Sequence, residues 1–235
     1  MKLKKIASLM LAGVMAVSML AGCKGNGTND AGSSSSEQTV VSGFSATLAA
    51  KLGDTVDEDY ISVKDNAADV TALEKALNYI SEPTLQDLAE KKTVQNLGDH
   101  SGKADVANMI ADFMDRAGFT LDDGKIGVDG LDMTYYAENH GYDNRTVKDG
   151  TIYIVNGAVG EDEAVKLVAA EVKEVLQDED ALPKHNDITA GQDKYDYEYV
   201  ISASVATKAL DDTYVGAANS VVFVAVTVTR TASAD

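Results

Sequence analysis

Apolar residues recur along this chain at two spacings, every third or fourth position and every second one, and the switches between them mark helices and strands. Val70, Leu73, Leu77 and Ile80 predict a helix from about Ala67 to Ile80, which Ser81-Glu82-Pro83 interrupts. Pro83 suits the first turn of a second helix through Leu85, Leu88 and Ala89, where its missing N–H would have no partner anyway. The longest stripe, Val106, Met109, Ile110, Phe113, Met114 and Ala117, predicts a helix over Lys103–Ala117 closed by Gly118. Another helix begins at Glu161-Asp162-Glu163, acids favoured at the positive end of the dipole, and turns Val165, Val168, Val172, Val175 and Leu176 to the core. Phe44, Leu48 and Ala49 suggest a short helix ended by Gly53, followed by a brief strand at Tyr60–Val63.

Strand spacing occurs at Leu131, Met133 and Tyr135, at Thr151–Val155, and most fully from Tyr195 to Val205, where the odd positions form one buried face. Val221–Val228 is apolar on both faces through its first half, as a central strand requires. Asp122-Asp123-Gly124 and Asp129-Gly130 are turn signals that frame a hairpin around Ile126-Gly127-Val128. Tested as a calcium loop, this stretch fails, since Gly124, Ile126 and Met133 stand where the third, fifth and twelfth ligands should be. The order helix, strand, strand occurs twice, over Lys103–Asn156 and Glu161–Thr229, as a duplicated α-β-β unit would. The expected fold is α+β, an antiparallel sheet with helices packed on one face.

The start of the chain follows other rules. Three lysines within Met1–Lys5 precede an apolar run from Ile6 to Leu20, the layout of an export signal, and no stop-transfer flank follows. The run closes on Leu20-Ala21-Gly22-Cys23, which resembles the lipobox of bacterial lipoproteins. That resemblance implies cleavage after Gly22, a diacylglyceryl group on the Cys23 sulfur, and a cell-membrane, lipid-anchored location on the extracytoplasmic face. The two acyl chains it implies suffice for stable anchoring. Cys23 is the one cysteine, so no intramolecular disulfide forms. Residues 24–38 hold nothing apolar larger than alanine and read as a flexible tether with a root-mean-square span of about 20 Å. The expected organisation is a signal peptide at 1–22, a tether at 23–38 and a single α+β extracellular domain at 39–235.

Charge narrows the partners. Lys2, Lys4 and Lys5 leave with the signal, so 17 basic side chains face 38 acidic ones, a formal net charge of −21 against −18 for the whole chain. Phosphates repel such a surface, which argues against nucleic acid and leaves the lipid on Cys23 as the only expected membrane contact.

Motifs for chemistry are sparse. The sequence has no Gly-x-Ser-x-Gly elbow, Gly-rich phosphate loop, His-Glu-x-x-His or dinucleotide fingerprint. His100-Ser101, Glu138-Asn139 and His185-Asn186 follow an order that resembles the secreted CAP (cysteine-rich secretory and pathogenesis-related) proteins, although Ala137 replaces that family's glycine before Glu-Asn. The resemblance implies a cleft in which His100, Glu138 and His185 hold a divalent metal or act in hydrolysis. The leading expectation is instead a non-enzymatic binding or interaction module at the cell surface, without a cofactor, with an extracellular ligand or protein as partner.

Overall fold

The computed structural model describes residues 43–91, 93–120, 128–138, 141–178, 180–186, 193–211 and 219–234. The expected signal, lipobox, Cys23 and tether lie outside the described residues, as does most of the expected hairpin. Val40–Asp235 form one compact unit.

The fold is α+β and its sheet is mainly antiparallel. Among the described residues five strands, β1 (Ile61–Val63), β2 (Gln95–Asn96), β3 (Val147–Asn156), β4 (Tyr195–Ala209) and β5 (Ser220–Ala234), lie in the order β1-β4-β5-β3-β2. β5 is central, which its apolar first half requires: Val221 through Val226 are all buried. It pairs antiparallel with β4 along its length and with β3 over ten residues. β1 joins parallel to β4, with Ile61, Ser62 and Val63 opposite Tyr199, Val200 and Ile201.

Among the described residues six helices cover the sheet: α1 (Phe44–Leu52), α2 (Ala67–Ala76), α3 (Glu82–Ala89), α4 (Ala104–Ala117), α5 (Thr134–Glu138) and α6 (Glu161–Leu176). They were expected on one face and occupy both. Val222, Val224, Val226 and Val228 share a core with α1, α5 and α6, whereas Val221, Phe223 and Ala225 share another with α2, α3 and α4. The physical reason is in β3 and β5, whose successive residues are apolar and need cover on each side.

Several ends are closed by identifiable bonds. The Asn66 side chain accepts from the Ala68 and Asp69 amides at the start of α2. Asp65 accepts from the Gly43 and Ser45 amides at the start of α1. Gly118, at φ 75°, ends α4 in the left-handed conformation that a side chain would disfavour.

The strand expected at Leu131–Tyr136 is absent. A 3-10 turn, Val128–Leu131, leads instead into α5. Asp132 accepts from the Thr134 amide at 2.8 Å and starts the helix, and Met133, Tyr136 and Ala137 are buried at helical spacing while Tyr135 is exposed. Lys103–Asn156 therefore contributes only one of its two expected strands, and the duplicated α-β-β unit is not formed.

The turn has a second effect. A Cβ on Gly130 would lie 2.2 Å from the Gly150 carbonyl oxygen, so only glycine lets it close over the outer edge of β3. Thr120 also bonds Lys148 in both directions, and β2 pairs at Tyr153 and Ile154.

Candidate functional site

His100 ends a 3-10 turn after β2, started by the Asn96 side chain, which accepts from the Gly98 amide at 2.8 Å. Its Nε2 lies 2.7 Å from Gln95 Oε1. Burial, with the ammonium groups of Lys91 and Lys103 nearby, lowers the pKa of the ring below its ordinary value. His100 lines a cleft of about 500 Å³ with Lys91, Thr93, Gln95, Tyr153 and Glu171. Burial and the Glu171 charge raise the pKa of the Tyr153 phenol, whose hydroxyl has no hydrogen-bond partner among the described residues.

Glu138 and His185 line a different cleft, of about 250 Å³, with Thr134, Asp180, Pro183 and Asn186. His185 Nδ1 pairs with Asp196 Oδ1, an oriented imidazole of the kind a general base needs. The Thr134 hydroxyl donates to the Asp180 carbonyl at 2.7 Å, so it is committed to the backbone. The ladder then separates the clefts. Gln95, beside His100, lies opposite Ile154 and through it Phe223, whereas Asp196, bonded to His185, lies opposite Ser233. Ten strand residues span about 33 Å. The structure brings Glu138 and His185 together and leaves His100 at the far end of the sheet. Among the described residues no three His, Cys, Asp or Glu side chains gather as a metal ion would require.

Sequence reasoning missed Arg230. It continues the buried even phase of β5 after Val222, Val224, Val226 and Val228, and is fully buried. The Tyr197 ring lies 4.0 Å from its guanidinium carbon, and Nη2 donates to the Tyr142 carbonyl at 2.6 Å. Nε and Nη1 have no hydrogen-bond partner among the described residues. Burial lowers the arginine pKa, while Tyr197, Tyr199 and Asp143 favour the charged form. The phase of the alternation was the available signal.

The outer edge of β4 offers a different kind of site. Leu210 donates to the Asn219 carbonyl, so in this register the even residues of β4 bond β5 and the odd ones point their backbone groups outward. Along the first half each is met. Tyr195 and Tyr197 bond Asn186 and Lys184, Tyr199 donates to Tyr60 at 2.8 Å, Ile201 accepts from Lys64 at 2.9 Å, and Ala203 donates to Ser45 Oγ at 2.9 Å. Beyond Ala203 the cover ends. Val205 and Thr207 turn their outward backbone groups into a groove of about 510 Å³, walled by Glu74, Leu77 and Asn78 of the α2 end and by Glu161 of α6. Among the described residues no backbone partner meets them.

Three side-chain bonds fix the groove. The Thr207 hydroxyl donates to Glu161 Oε1 at 2.7 Å. Lys208 Nζ donates to the Leu77 and Ile80 carbonyls at 2.7 and 2.6 Å, closing the end of α2, and burial lowers its pKa. No helix among the described residues is long and apolar enough to cross a membrane. Compared with known protein families, curated proteins and solved structures, the chain matches none.

Proposed function

We propose that the protein is a non-enzymatic interaction module, held at the extracytoplasmic face of a bacterial membrane by a lipid on Cys23, that takes an extended polypeptide along the free edge of β4. The observation that carries the reading is the abrupt end of cover at Ala203, which leaves Val205 and Thr207 with outward N–H and C=O groups on the floor of a groove. Strand addition needs these two things, an unpaired edge and room beside it. The metal-dependent alternative is weaker, because His100 lies at the other end of the sheet from Glu138 and His185.

Two substitutions test the halves separately. Cys23→Ser should release the protein from the membrane fraction and remove the diacylglyceryl mass from its mature N-terminus; an unchanged distribution and mass would refute the anchor. Thr207→Pro removes one outward N–H without touching the β5 ladder, since proline is tolerated on an edge. It should keep the far-ultraviolet spectrum and abolish peptide docking. Docking that survives this change would refute the edge as the site.

A further inference from the structure

The groove beside β4 carries charge as well as free backbone, and this deepens the interaction reading, on which it rests. We infer that the segment it takes is basic, adding to β4 as a sixth strand with neighbouring lysines or arginines, one facing the Glu161 carboxylate and the next facing that of Glu74. The two walls belong to opposite layers of helices. Glu161 opens α6 on the layer that covers Val205, and Glu74 lies in the last turns of α2 on the layer that covers Ala206. Successive side chains of an added strand would point alternately to these walls.

Each wall favours a cation. Glu74 is exposed near the C-terminal end of α2, where the dipole itself attracts positive charge. On the other wall Glu161 is followed by exposed Asp162 and Glu163. The one cation among the groove residues, Lys208, has its ammonium turned onto the Leu77 and Ile80 carbonyls, with Glu82 and Asp105 close enough to favour its charge. Charge also selects against the obvious competitor, a second copy pairing edge to edge. Such a pair would bring Glu74 and Glu161 of one chain against the same acids of the other, between cleaved chains of net charge −21 each.

Hydrogen–deuterium exchange on the full-length protein purified from membranes in detergent, with three ten-residue peptides that repeat Val-Val-Lys-Lys, Val-Val-Gln-Gln or Val-Val-Glu-Glu, so that paired side chains face both walls, tests this. The Val-Lys peptide should slow exchange over residues 204–209 and bind tightest. Glu74→Gln and Glu161→Gln should each weaken it about threefold to fivefold, and raising the salt concentration should do the same. Equal protection and affinity with the Val-Gln peptide would overturn the basic partner and leave strand addition standing. Lysine-dependent binding that protects nothing at 204–209, or that ignores both glutamine substitutions, would overturn it too. Absence of protection by any peptide would overturn the edge-docking reading itself, and self-association that alone protects 204–209 would replace the peptide by a second copy. Unchanged melting temperatures of the glutamine variants separate these outcomes from misfolding.

Discussion

Each face of the sheet buries one charged side chain against β5, and the two are held in opposite ways. On the α2, α3 and α4 face, Asp69 is fully buried, yet one oxygen pairs with Lys148 Nζ and the other accepts from the Thr227 hydroxyl at 2.8 Å. Lys148 in turn donates to the Ala117 carbonyl at 2.9 Å, tying α2, α4, β3 and β5 together. On the opposite face Arg230 is as deeply buried, but two of its three nitrogens lack hydrogen bonds among the described residues and the Tyr197 ring lies against its guanidinium. Removing one member of a satisfied buried pair strands the other, whereas removing a partly satisfied charge also removes its desolvation cost. Equal burial therefore does not mean equal weight in the fold.

The largest expected effect follows at Asp69. Asp69→Ala leaves the Lys148 ammonium in a nearly closed site and should destabilise the protein by about 3–5 kcal/mol in urea unfolding. Arg230→Met should cost less, about 1–2 kcal/mol, chiefly for the lost charged hydrogen bond to the Tyr142 carbonyl, which keeps its bond from the Arg145 amide. A loss at Arg230 equal to that at Asp69 would break the contrast. Asn66→Ala, which removes the cap one turn before Asp69, should cost about 1 kcal/mol.

The smallest effect concerns pH. Burial tends to raise the Asp105 pKa, but hydrogen bonds from the Ser81 and Thr84 hydroxyls and the Ser81 and Val106 amides outweigh it and hold the value at about 2. The folded value lies below the ordinary 3.8, so its stabilising contribution is present above that pH and disappears as pH falls toward 2. Asp105→Asn should flatten the stability–pH curve between pH 4 and 2 and leave its slope near neutrality unchanged.

What could be read from the sequence follows how local each cause is. The stripe Val106, Met109, Ile110 and Phe113 lies wholly inside one helix, and all four residues are buried as the spacing requires. The doubly apolar start of β5 likewise announces a central strand. At Leu131–Tyr136 a short alternation imitated a strand, and a single cap from Asp132 decided for helix. Asp69 and Arg230 escaped notice because their partners, Lys148, Thr227, Tyr142 and Tyr197, are remote in sequence. The free edge of β4 is the extreme case. Nothing in Val205–Ala209 says that cover stops there, because the cover comes from residues 43–64 and 184–186.

The shortest ladder in the sheet also has a mechanical consequence. β1 is held to β4 by three residue pairs and α1 by Ser45 and Asp65, whereas β4 and β5 are joined over fifteen pairs. A pull on the chain from its amino-terminal side would load the weak strap before the strong one. The first event under tension would be the peeling of residues 43–64, which would lay bare the outward backbone groups of Tyr199, Ile201 and Ala203 and lengthen the open edge that begins at Val205.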